Sequence, residues 1–179
     1  MIKCWEHFKT VSRHRYLVFI LAAKSGIFFR GLVHDLSKYS KTEFFENVKY
    51  YNGKHSPIVD ARKDKGYSLS WIHHKACNKH HYEYWYDVAS ESVPVMPYKY
   101  AVEMVCDRVA ASKNYNGDKY SDGDVYDYFL IEIKKYGYMM NPMTRKFLEK
   151  ALLDLKNNGE KYVFRKSYFK VTYKSIVKD

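Results

Sequence analysis

Apolar residues along this chain recur mostly at intervals of three and four, the spacing of one buried helix face. Residues 2–24 carry Trp5, Phe8, Leu17, Val18 and Leu21 in this rhythm, and His14 joins Leu17, Val18 and Leu21 in an inward stripe. Gly26 interrupts it. A short apolar run, 27–33, follows and predicts a buried helix ending at His34-Asp35. Residues 41–51 form a second amphipathic helix through Phe44, Phe45 and Val48, closed by Asn52-Gly53, and 54–67 reads as an exposed polar loop with room for a short helix. Ser68 is a suitable N-cap for a helix continuing to about residue 86. Further helices are predicted at 97–115, with Ala101, Val102, Val105 and Val109 inward, at 124–136, and at 142–158. The last has Asn141 as N-cap, Pro142 at its first position and Gly159 as its stop. The tail, 161–179, mixes Tyr162, Phe164, Tyr168, Val171 and Tyr173 with lysines, which predicts a strand, a hairpin or an extended arm.

The fold class is therefore mainly α: a single helical bundle over 1–160 with six or seven helices, plus a basic aromatic tail. A chain of 179 residues, 46% hydrophobic, can bury one good-sized core without a second domain. The longest apolar run, 16–23, stops at Lys24 and is too short to cross a bilayer, and the N-terminus lacks a signal-peptide layout, so a soluble cytoplasmic protein without a membrane partner is expected. Cys4, Cys77 and Cys106 are widely spaced and offer neither a disulfide framework nor a zinc ribbon. The net charge of +11, with 19 tyrosines among the lysines, attracts phosphate-rich partners, whether nucleotides, nucleic acid or anionic surfaces. No RNA-binding sheet signature or zinc finger accompanies that charge.

Candidate chemistry concentrates in residues 73–81, which hold four of the eight histidines. On a continuous helix His73 stacks with His80 and His74 with His81, giving two columns about 100° apart with Cys77 between them. Neutral imidazoles converging from one face suit a metal. Ile72 and Ala76 flank the first column and Lys75 and Asn78 the second, so His73 and His80 are expected to bind metal while His74 and His81 serve substrate or protons at the mouth. The adjacent His34-Asp35 pair suits Fe, Mn, Co or Zn better than Mg or Ca. Lys38 can reach the same place as a phosphate-binding cation. Glu83 can serve as a general base or orient a ligand, against the duller use of pairing with Lys79. Glu103 and Asp107 repel at i, i+4; Lys99 can neutralise the first, leaving Asp107 among apolar neighbours and in need of a cation, with Arg108 as the structural alternative.

The order His14, His34-Asp35 within HDLSK, the added histidines and then Asp107 resembles the HD superfamily of metal-dependent phosphohydrolases. A nearer resemblance, over about 11–160, is to a family of short bacterial and phage proteins of unassigned function that share GLVHDLSKYS, WIHHK, NKHHYEYW, MPYKY and EMVCDRVAA. That family has Gly-Arg where this chain has Ala76-Cys77, which argues against Cys77 as a required ligand. The twenty residues from His14 to His34 are fewer than HD enzymes usually have between those positions. The resemblance implies an all-helical fold in which His14, His34, Asp35 and Asp107 hold one divalent transition metal, the added histidines a second, and Asp35 bridges. It implies hydrolysis of a phosphoester, most simply a nucleotide. Related HD proteins use such ligands in an oxygen-activating di-iron centre, as in inositol oxygenase. A basic nucleic-acid-binding or interaction protein with a structural metal is the non-enzymatic alternative.

Overall fold

The computed structural model describes residues 2–177, which form ten α-helices linked by short turns, with no strand among the described residues. In order these are α1 (Ile2–Lys24), α2 (Phe28–Val33), α3 (Lys41–Tyr50), α4 (Pro57–Lys65), α5 (Leu69–Cys77), α6 (Tyr98–Asn116), α7 (Asp124–Tyr136), α8 (Pro142–Asn158), α9 (Glu160–Val163) and α10 (Lys166–Ile176). The mainly α, single-core expectation holds. No described helix is long and apolar enough to cross a membrane, and all three cysteines are free thiols.

The middle of the bundle is α6, whose residues from Ala101 to Cys106 are buried without interruption. A helix buried all round must lie inside rather than on a layer. α1 packs along one side of it, and α8 lies against another with Phe147, Leu148, Ala151, Leu152 and Leu155 fully buried. α3, α4 and α5 pack on one another beside α1. On α1 the buried stripe is His7, Val11, His14, Val18, Leu21 and Ala22; Trp5 and Phe8, expected inside, are exposed and stack on each other instead.

Three expectations are corrected, and the short helix for which 54–67 left room is present. The segment 161–177 is neither strand nor arm but α9 and α10, because Phe164 and Phe169 plug into the common core and Tyr173 donates a hydrogen bond to the Met96 carbonyl at 2.7 Å. Burial overrides local β-propensity there. The loop 54–67 contains the three-turn-class helix α4, entered by Pro57 at its first turn and ended by Gly66 in the left-handed region (φ 81°). α2 is not a buried helix: Gly31 is its one buried residue, and Phe28, Phe29, Leu32 and Val33 are exposed. The Ser68 cap is as expected, accepting from Trp71 N–H, but α5 stops at Cys77. Asn78 is the reason. Its side-chain amide donates to the His74 carbonyl (2.8 Å) and to Ser37 Oγ (2.8 Å), an alternative to continuing the helix, and its backbone is extended.

Gly31 sets how closely α2 crosses α1, since a Cβ there would stand 2.8 Å from Ala22 Cβ and 3.1 Å from Phe19 Cα. Gly31→Ala is therefore expected to cost about 1–3 kcal/mol through overpacking. Thermal unfolding checks it: a melting temperature lowered by about 2–10 °C is expected, and an unchanged one would show that the crossing has slack.

Candidate metal centre

The chain turns between α2 and the following 3-10 turn, Leu36–Tyr39, through Asp35, a non-glycine residue in the left-handed region (φ 51°, ψ 30°). This strained step lets His34 and Asp35, adjacent in sequence, both point inward, with 0% and 1% exposure. Arg15 on α1 holds the turn by donating to the carbonyls of His34 (2.8 Å) and Leu32 (3.0 Å), acceptors that the end of α2 leaves free.

Around Asp35 two sets of ligand atoms converge. His14, His34, Asp35 and Asp107 each offer one atom to a first group, and Asp35, His74, His80 and His81 to a second. In the first, His14 Nε2 lies 3.1 Å from Asp107 Oδ1, 3.4 Å from His34 Nε2 and 3.7 Å from Asp35 Oδ2. His34 Nε2 is 3.2 Å from Asp35 Oδ2 and 3.4 Å from Asp107 Oδ1. An ion with ligands at about 2.1 Å sets them about 3.0 Å apart along octahedral edges and about 3.4 Å apart along tetrahedral ones, so these spacings fit one ion. Two facing imidazole nitrogens can share at most one proton, which makes this an awkward hydrogen bond and a natural pair of ligands. The other oxygen of Asp35, Oδ1, is 3.5 Å from both His74 Nε2 and His80 Nε2. Neither Asp35 oxygen has a well-formed hydrogen bond, although both are buried and Lys38 Nζ stands 3.1 Å from Oδ2; His80 and His81 also leave ring nitrogens unpartnered. Orphaned acceptors at the meeting point of four or more imidazoles are what a metal centre requires.

The far sides of the rings are held by carboxylates. His34 Nδ1 donates to Glu103 Oε1 at 3.1 Å and His74 Nδ1 to Glu43 Oε2 at 2.8 Å, which turns each Nε2 inward. Burial works against a charged His34, but Asp35, Asp107 and Glu103 outweigh it and raise its pKa, so a metal there would replace a proton. His80 Nδ1 is 3.5 Å from the same Glu103 oxygen, too long for a good bond. Although His34, His80 and Glu103 could form a third group, Glu103 is already neutralised by the Arg30 guanidinium, Nε on Oε2 (2.8 Å) and a terminal nitrogen on Oε1 (3.0 Å). Burial alone would raise the Glu103 carboxyl, but the bond from His34 and the nearness of His80 push it down to about 2. Asp35 likewise sits well below the carboxylate range because His34, Lys38 and His74 outweigh burial, and Asp107 because His14 and His34 do. Burial holds His74 and His81 below the usual histidine range, hence neutral and able to ligate.

A family model described as a family of unknown function (DUF5662) matches residues 3–154. The chain belongs to this family. No curated protein and no solved structure matches it. The DUF5662 match contains every residue of both ligand groups and ends inside α8.

The structure brings together His14, His34, Asp35, His80 and Asp107, all expected as ligands. It separates His73. Because α5 ends at Cys77 the two histidine columns do not exist: His73 turns to Glu43 Oε1 (2.7 Å) and is partly exposed, whereas His74 and His81, expected at the mouth, sit in the second group. Lys38 is at the site as expected. Glu83 lies on the 3-10 turn Tyr82–Trp85 and lines the cavity above the ligands with Oε2 unpartnered, while Lys79 reaches instead over the Tyr84 ring. Lys99 stacks on Tyr100 and leaves Glu103 to Arg30, and Arg108 is taken by Glu132 rather than by Asp107. Glu43, Glu103 and Arg30 were not anticipated as parts of the site; the one signal for Glu103 was an acidic residue in an otherwise apolar helix face.

Metal content of single variants tests this geometry. His74→Ala and His80→Ala are each expected to lose about one metal equivalent, and His73→Ala to keep the wild-type amount, as measured by elemental analysis of protein purified without a metal-affinity step. Loss from His73→Ala with full content in His74→Ala would restore the columns.

Proposed function

We propose that the chain is a metal-dependent phosphohydrolase. The observation that carries this is Asp35, which offers its two oxygens to two adjoining groups of imidazoles beneath an open cavity of about 300 Å³, with Lys38 beside it. The resemblance to HD proteins supports the same reading. One or two divalent ions bound there, Mn, Fe, Co or Zn, would polarise a phosphoryl oxygen and acidify a bound water.

The chain's own residues would do the rest. Lys38 holds one phosphate oxygen and is kept charged: burial works against its ammonium, but Asp35 and Asp107 outweigh it and raise its pKa. Glu43 and Glu103 keep the ligand rings in place while charge changes around them. In hydrolysis the water oxygen bonds to phosphorus, the ester P–O bond breaks, and the proton lost by water ends on the departing oxygen. Glu83, in the same cavity with a free carboxylate oxygen, is placed to carry that proton.

A screen of phosphomonoesters and cyclic and linear phosphodiesters with each of the four metals tests the proposal. Metal-dependent phosphate release is expected, lowered about 10²-fold or more in Asp35→Asn and about 10-fold or more in Lys38→Ala. No release with any metal would sink it. Oxygen consumption by iron-loaded protein would point to the oxygenase alternative, and salt-dependent nucleic-acid binding that survives Asp35→Asn to the binding-protein one.

A further inference from the structure

α1 carries two apolar stripes, and the bundle covers only one. The covered stripe is His7, Val11, His14, Val18 and Leu21. The other runs through Trp5, Phe8, Ser12, Tyr16 and Phe19, which share about 80° of arc and lie about 140° round the helix from the first. Trp5 is 59% exposed, Phe8 40% and Tyr16 63%. α2 extends this strip. Phe28 packs edge-on against Phe19 (5.2 Å between centroids) and against Phe29 (5.5 Å), and Phe29 is 80% exposed. At the other end Trp5 stacks on Phe8, and Phe8 meets Tyr39 at 5.7 Å. With the half-exposed Leu32 and Val33, the connected surface from Trp5 to Phe29 presents roughly 700 Å² of apolar area. Soluble monomers rarely leave so much contiguous apolar surface open, and it is close to one side of a standard protein–protein interface, about 800 Å².

Shape and charge say what covers it. Between α1 and α2 the strip is hollowed into a groove of about 270 Å³, lined by Tyr16 and Phe19 on one side and Gly31 and Leu32 on the other. Phe29 stands beside this groove, three residues before Leu32 and so on the same side of α2. A face that carries a protruding ring next to a hollow of side-chain size is complementary to itself, which is what a two-fold interface requires. The polar side chains within the strip are turned to the chain's own groups. Arg15 donates to the His34 and Leu32 carbonyls at the end of α2, and Ser12 shares a hydrogen bond with the Tyr39 hydroxyl (2.9 Å). Lys9, at its edge, pairs with Glu6 at 2.7 Å. Spent in this way, these groups give little to an acidic partner. Copies of a chain with net charge +11 repel one another over most of their surface, so a neutral strip is where two of them can meet.

We propose that this strip is the interface of a symmetric dimer of the chain, with Phe29 of each copy seated in the α1–α2 groove of the other. The inference is independent of the phosphohydrolase reading, because it uses none of the candidate metal ligands. It also gives a reason for α2, a short helix that is held against α1 through Gly31 with its apolar side chains turned outward. In a lone chain those side chains stay in water. In the dimer they become the centre of the buried patch, where aromatic anchors contribute most to binding. A head-to-tail arrangement would leave one Phe29 and one groove uncovered at its ends, whereas the two-fold arrangement uses both.

Sedimentation velocity of the full chain, from about 1 to 100 µM, tests this, and a concentration-dependent or complete dimer is expected. Phe29→Glu, at a position open to water in the single chain, is expected to weaken the dimer about thirtyfold or more, and Trp5→Glu to weaken it too. Ile131→Glu is the control: it is 70% exposed on α7, which packs against α6 and α8, and is expected to leave the dimer unchanged. Far-ultraviolet circular dichroism of wild-type strength in either strip variant separates lost pairing from lost folding. A wild-type chain that stays monomeric over the whole range overturns the inference, as does a dimer that both strip variants leave intact. Flotation of the wild-type chain with phosphatidylcholine vesicles in place of self-association gives the strip to a lipid surface and overturns it as well.

Discussion

Three carboxylates, the buried Asp35 and Glu103 and the half-buried Asp107, stand within reach of the same histidines, and the molecule is arranged to make that tolerable. A buried carboxylate needs a cation or several donors. Glu103 has both, in the fork of Arg30 and the ring of His34. Asp35 and Asp107 have imidazoles on several sides and one lysine, a set that satisfies them fully only when positive charge sits among the rings. Two of the three come from α6, four residues apart on one face, so the most deeply buried helix also brings two negative charges to the centre.

The supporting parts follow from this. The left-handed Asp35 gives His34 and Asp35 one direction, and Arg15 ties that turn to α1, which itself supplies His14. α3 supplies Glu43, whose two oxygens hold His73 outside the site and His74 inside it. The second group of ligands is therefore anchored through α3 and the first through α1 and α6, with Asp35 the residue common to both.

Function adds the cavity above. Its lining joins Lys38 and the candidate ligands to Tyr115 and Tyr128 and to the charged Glu83, Arg108 and Glu132. α4 contributes Ser56-adjacent Pro57 and Ile58 to that lining, so the segment that reads as a polar loop helps to shape the site.

Much of this was legible in the sequence. The 3.6-residue rhythm defined α1, α6, α7 and α8 through their buried stripes and marked α3 as a helix, although α3 buries Glu43 and Asn47 and leaves Phe45 exposed; His34-Asp35, Asp107 and His14 stood out as polar residues set into apolar surroundings. What the sequence did not determine was where a helix would yield to a side chain. Asn78 ends α5 by bonding to Ser37, forty-one residues away in sequence, and Glu43 on α3 bonds both His73 and His74 so that His74 is the one that faces Asp35. The tail is helical for a related reason: the core beside α8 receives Phe169 of α10 and Phe164 in the bend before it, and β-propensity says nothing of that packing. Local pattern fixes which residues share a face, but which face meets the site depends on partners distant in the chain, and those exist only once it has folded.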